Sequence, residues 1–269
     1  MCPSPRTWRA ATGAVSAVGA SVGWGLAAGG SLVIGAVAGV VLRLPARVAA
    51  GITAFGGGVL LAAVAFELVP EADARAGLWP TAAGLLAGML VYVVADAWVT
   101  RNEHMRTTRR SGHSAAAGRP MATDTGGTQA ARGEAIAVGL FLDGVPESIA
   151  LGLTVAEGTI GLALLVGILL GNLVEAYGAA QPIVAGGLSK RFAVSLMAAI
   201  GVTLVGATVL GGAVLVDADP AIAGTTQAVA SGAVLAVVSV AIIPHVFAEV
   251  NRWVAVTFVL GFVAGYLLT

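Results

Sequence analysis

Eight apolar runs, each about as long as a bilayer is thick, leave this chain few ways to fold. They occupy roughly 14–42, 47–69, 78–99, 134–155, 159–185, 192–216, 221–243 and 252–269, bounded by charged residues or by Pro and Gly. Backbone crossing hydrocarbon has no water to bond, so each run is expected to satisfy its own N–H and C=O groups as a helix. The expected fold is all-α, a polytopic membrane protein with eight transmembrane helices. Only 10% of the 269 residues are charged and 58% are hydrophobic, whereas a soluble domain carries about 25% charged residues. Such a chain cannot cover a water-facing surface, and the lipid bilayer is the partner its composition demands. With 14 basic and 14 acidic residues, nothing in the charge balance points to nucleic acid. The single cysteine, Cys2, excludes an internal disulfide and a paired-cysteine metal motif. The 38 glycines suit closely approaching helices and would permit a homodimer without requiring one.

Loop charges orient the bundle. Arg43 and Arg47, then Arg101, Arg106, Arg109, Arg110, Arg119 and Arg132, then Lys190 and Arg191, and finally Arg252 all fall on one side. The opposite loops hold Glu71, Asp73 and Arg75, then Glu157, then Asp217 and Asp219. The positive-inside rule makes the basic side cytoplasmic, which predicts a multi-pass protein of the cytoplasmic membrane with both termini outside. Only Arg6 and Arg9 run against this, and the apolar run after them is too long for a signal core, so a spanning helix is expected there. The predicted organisation is a tail at 1–13, three spans within 14–100, a cytoplasmic loop at 101–133, two spans within 134–185 and three within 186–269. The loop is rich in Ser, Thr, Gly, Ala and Arg without helical or strand period, and is expected to be disordered or weakly ordered. Its His104 and His113 are read as incidental rather than as metal ligands.

Carboxylates sit inside two of these runs. The fourth holds Asp143-Gly144-Val145-Pro146-Glu147-Ser148 and the fifth Gly171-Asn172-Leu173-Val174-Glu175-Ala176. A charge at that depth costs roughly 2.5–3.5 kcal/mol on insertion scales and persists where something pairs with it or hydrates it. Asp143 and Glu147 are one turn apart on one face. Pro146 lies between them and frees the carbonyl of Leu142, which in lipid must find another partner. Asn172 and Glu175 share a face of the fifth span. Three carboxylates and an amide form a hard, oxygen-only set, suited to Mg, Mn, Ca or Fe and tolerant of Zn. The alternatives are a proton relay, or a proton-coupled carrier of another small solute that uses the same acids, or purely structural carboxyls bonded across helices. Glu67 and Glu71, at the outer end of the second run, are candidates for an outer path. His245 and Glu249, just after Pro244, are candidates for an inner one. Asp96 reads as a solvated helix end. No Ser/His/Asp or HExxH arrangement suggests an enzyme.

The chain also matches itself. Gly57-Gly58-Val59-Leu60-Leu61-Ala62 through Leu68-Val69-Pro70 aligns with Ser231-Gly232-Ala233-Val234-Leu235-Ala236 through Ile242-Ile243-Pro244 at an offset of 174, on spans running in opposite directions. Glu147 aligns with Glu175 at an offset of 28, again on opposed spans. An inverted repeat of spans 1–3 on 6–8, with 4 and 5 between them, is the expected arrangement, and it is the one used by secondary carriers.

Taken together, these residues resemble the ZIP family of divalent-metal transporters. The family's fourth-span motif, His-Asn-x-Pro-Glu-Gly, is matched by Asp143 to Ser148 and continued by Ile149-Ala150-Leu151-Gly152. The closest likeness is to a prokaryotic branch carrying Asp-Gly-x-Pro-Glu-Ser. Phe66-Glu67-Leu68-Val69-Pro70-Glu71-Ala72 resembles the family's second-span ending. The resemblance implies inward transport of a divalent metal, zinc first and manganese or iron as alternatives, with the ion as cargo and no prosthetic group. It places Asp143 at the first histidine, Glu147 and Glu175 at the shared carboxylates, and Gly171 and Asn172 at the first two fifth-span ligands. Gly144 and Gly171 each remove a side-chain ligand, so the expectation is one metal held by Asp143, Glu147, Asn172 and Glu175.

Overall fold

The computed structural model describes residues 5–101, 106–107, 115–116, 129–156, 161–215, 218–244 and 252–269. Among these the chain is helical and contains no strand. The long helices are α1 (Pro5–Val41), α2 (Ala46–Ala76), α3 (Leu78–Val99), α4 (Gln129–Ala156), α5 (Leu162–Ala185), α6 (Lys190–Leu215), α7 (Pro220–Ile242) and α8 (Arg252–Leu268). Seven of them are long and apolar enough to cross a membrane, and α8, at 17 residues, is a shorter apolar helix. Helix α1 begins at Pro5 and α4 at Gln129, inside segments where the sequence suggests a tail and a loop. Within the 101–133 connection, Ala115 and Ala116 are buried, and the Thr53 hydroxyl of α2 donates to the Ala116 carbonyl at 2.9 Å.

Local chemistry sets the helix ends. Pro45 precedes α2, where its fixed φ and missing N–H are tolerated. Gly77 turns α2 into α3 at φ +83°, a conformation that a side chain would strain. Asp219 caps α7 by accepting from the Ala221 N–H at 2.9 Å, with Pro220 in the first turn. Two helices are interrupted by single π-helical turns, α2 at Val64–Leu68 and α7 at Val238–Ile242.

With no hydrophobic drive between helices in lipid, close packing must hold them together, and glycine makes the close contacts. Gly29 of α1 and Gly201 of α6 face each other, so that a Cβ on either would meet the other's carbonyl oxygen at 2.7 or 2.8 Å. Gly39 of α1 lies against the Tyr177 carbonyl of α5, and Gly211 of α6 against the Ile149 carbonyl of α4. Elsewhere, Gly58 and Gly261 fit α2 against α8, at Phe258 and Phe55, while Gly88 and Gly232 fit α3 against α7, at Val229 and Leu85. Backbone-on-backbone contacts thus bind α1, α4, α5 and α6 into one group and α2, α3, α7 and α8 into another. Between the groups, glycine meets leucine, Gly56 of α2 against Leu170 of α5 and Gly167 of α5 against Leu60 of α2, and the Tyr92 hydroxyl of α3 bonds Asp143 of α4.

Candidate functional site

Helix α4 runs without a break through Pro146 and carries Asp143 and Glu147 into the interior, where they are 1% and 4% exposed. The two carboxyls lie beside each other. Asp143 is held from a third helix: the Tyr92 hydroxyl of α3 donates to its Oδ1 at 2.6 Å. A phenol donating to a buried carboxylate is a charge-assisted bond, shorter and stronger than a neutral one. Ser148, the next residue of the motif, is also buried.

On α5, Asn172 is 2% exposed, and its Nδ2 donates to the Ala28 carbonyl of α1 at 3.0 Å. That bond uses the amide nitrogen and leaves Oδ1 as the acceptor. Glu175 is half-buried. Among the described residues no three His, Cys, Asp or Glu side chains gather where they could hold one ion. Asp143 and Glu147 form a buried pair, Asn172 turns its nitrogen to α1, and Glu175 does not join the other two acids in a three-carboxylate cluster.

The two glycines of the motifs differ in their surroundings. A Cβ at Gly144 would come within 2.8 Å of a Leu204 methyl on α6, so leucine fills the space where the resemblance places a ligand. A Cβ at Gly171 would touch only Leu60, at 3.8 Å, which leaves room beside it.

At the outer-path position, Glu67 lies in the π-helical turn of α2 and points at the start of α5. Gly161 precedes α5 and has no side chain to cap it, and the Glu67 carboxylate takes that role by accepting from the Leu164 N–H. An anion at this end complements the exposed amides and the positive end of the helix dipole. A side chain at position 161 would run into Glu67 Oε1. Glu71, expected to line an open vestibule, is engaged instead. Its Oε1 pairs with Arg75 at 2.9 Å, and its Oε2 accepts from the Gln227 Nε2 of α7 at 3.1 Å. His245 and Glu249, the inner-path candidates, lie outside the described residues, as do His104 and His113.

Two residues here were not singled out by sequence reasoning. Tyr92 had a signal: Thr81, Gly84, Gly88 and Tyr92 are the buried residues of α3 and fall at helical spacing on an otherwise exposed helix. Gln227 had a weaker one, as a lone amide inside an apolar span one turn before Ser231. Compared with protein-family models and with curated proteins, the chain matches none.

Proposed function

We propose that this protein is a carrier, not an enzyme, that moves a divalent cation inward across the cytoplasmic membrane. The buried carboxylate pair Asp143–Glu147 on α4 is the centre of its path, and both termini lie outside. The observation that carries the reading is that pair: two adjacent acids 1% and 4% exposed inside a membrane-length helix, one of them fixed by Tyr92. Adjacent buried carboxylates repel, and a divalent cation relieves both the repulsion and the desolvation. Leu142, whose carbonyl Pro146 cannot bond, adds a neutral oxygen one turn away. Asn172 Oδ1 and Glu175 on α5 would complete the coordination if the helices shift. Zinc comes first by resemblance to ZIP carriers, and manganese or iron by the hardness of the oxygen set.

An inverted repeat supports a carrier. The π-helical turns at Val64–Leu68 and Val238–Ile242 are separated by the same 174 residues as the sequence match. The contact of Gly39 with Tyr177 corresponds to that of Gly211 with Ile149, at offsets of 172 and 28. Gly29 against Gly201 is its own counterpart at the offset of 172, as a pair on a pseudo-two-fold axis would be. We read α1–α3 and α6–α8 as the two halves, with α8 as the eighth span.

A second reading is favoured by one observation. The bond from Tyr92 to Asp143, with no three-ligand cluster among the described residues, also suits a proton-coupled carrier of another small solute. Accumulation of Zn, Mn, Fe and Co in cells expressing the protein, beside an Asp143→Asn/Glu147→Gln variant inserted at the same level, separates the two. Metal transport requires that one metal rises with the native protein only. Equal metal content, with a pH gradient dissipated by the native protein alone, would favour the proton reading.

A further inference from the structure

The acids at the outer end of α2 meet a buried amide that the transport reading does not use. Gln227 of α7 is 0% exposed. Its Nε2 donates to Glu71 Oε2, which fixes the orientation of the amide: the reverse assignment would set two acceptors against each other. Gln227 Oε1 is then buried without a hydrogen-bond partner. So is Glu67 Oε2, whose carboxylate uses its other oxygen at the start of α5 and has Glu71 as its charged neighbour. Two neighbours of Glu71 thus each hold a buried oxygen without a hydrogen-bond partner. A buried acceptor without a donor is destabilising. A second such acceptor beside it, with carboxylate charge, calls for a cation rather than for another acceptor.

We infer that Glu67, Glu71 and Gln227 form a separate outer binding site for a divalent cation, in which Glu67 Oε2 and Gln227 Oε1 are ligands and Glu71 is the carboxylate between them. Arg75 does not fill this site. It pairs with Glu71 Oε1 at the half-exposed edge, with the two side chains 27% and 25% exposed, and so orients Glu71. An all-oxygen set of two carboxylates and an amide suits a hard ion such as Mn2+, Ca2+ or Mg2+ and favours thiophilic ions little. The inference deepens the transport reading by supplying a first stop for the ion, but its binding chemistry is independent of the α4 pair.

The test is Mn2+ binding to the purified full-length protein in detergent, followed by loss of the free-ion electron paramagnetic resonance signal. The Asp143→Asn/Glu147→Gln variant, which removes the inner pair, is expected to retain one bound Mn2+. In that background Gln227→Leu should weaken binding at least tenfold, and Gln227→Glu should restore it. Glu67→Gln preserves shape and is read in the same way should Gln227→Leu fail to fold. No Mn2+ on the inner-pair variant, or equal binding with and without Gln227 or Glu67, overturns the outer site. If the outer site binds while no metal is transported by the native protein, the transport reading fails and this one stands.

Discussion

Asp143 illustrates how much a single bond decides at the scale of one residue. Its carboxylate would be free to follow Glu147 or to turn away, were it not fixed by Tyr92 from α3 at 2.6 Å. Tyr92→Phe keeps the ring and removes the donor, which for a hydrogen bond to a charged group costs about 1.5–3 kcal/mol. On the proposed transport, metal uptake is expected to fall roughly tenfold, since about 1.4 kcal/mol is a factor of ten. A Tyr92→Phe protein with native uptake would reduce Tyr92 to packing. Gly144 teaches the complementary lesson. It faces Leu204, so restoring a ligand by Gly144→Asn would push a polar amide into leucine methyls. The expected outcome is a lower melting temperature and no gain in metal affinity, measured by thermal unfolding with and without metal.

Elements show what small residues do for this bundle. Gly88 sits against the Val229 carbonyl of α7, whereas Gly30 has nothing near its missing side chain. Gly88→Val should cost more than the 1–3 kcal/mol usual for overpacking, because backbone rather than side chain blocks it; Gly30→Ala should be close to neutral. Folded yield and thermal unfolding in detergent check both. The π-helical turn of α2 has its own consequence. It adds a residue to the turn that carries Phe66 onto Phe262 and Tyr266 of α8, at 5.5 and 5.0 Å, and Glu67 onto α5. Deleting Ala65 would restore an ordinary turn and rotate the two ends of α2 relative to each other, and the expected result is loss of the Glu71–Gln227 bond and a lower melting temperature. The helices themselves were legible in the sequence because the bilayer sets their length, and observed ends such as Leu78–Val99 and Leu162–Ala185 fall close to the runs. The burial of Asp143, Glu147 and Asn172 was legible too, since acids and amides in apolar runs have few other places to go. The hydrogen-bond partners of the site residues were not. Spacing puts Asn172 and Glu175 on one face of α5, but only the approach of α1 decides that the amide bonds Ala28. Likewise, nothing local to Glu71 announces Gln227, 156 residues away.

The whole molecule divides into two groups of four helices, each locked by glycine contacts and joined to the other by leucine on glycine and by the Tyr92–Asp143 bond. Locked contacts are backbone on backbone through glycine, whereas the seam between α2 and α5 is leucine on glycine. The apolar contacts of that seam can slide where interlocked backbones cannot. Cysteine pairs test this, because a Cβ at Gly56 would lie 3.3 Å from that of Leu170 across the seam, and one at Gly25 would lie 3.3 Å from that of Thr208 within a group. Both spacings are close to disulfide range. With Cys2 replaced by Ser, metal is expected to change the crosslinking yield of Gly56→Cys/Leu170→Cys at least twofold and to leave Gly25→Cys/Thr208→Cys unchanged. Equal response of both pairs would show that the groups do not move relative to each other. At the seam between α2 and α5, Glu67 of α2 supplies the cap that α5 lacks. A cap of this kind is worth about 1 kcal/mol. Whatever draws that carboxylate aside uncovers the first amides of the helix bearing Asn172 and Glu175, so an arrival at the mouth is felt as a loosened grip on α5 well before anything reaches its middle.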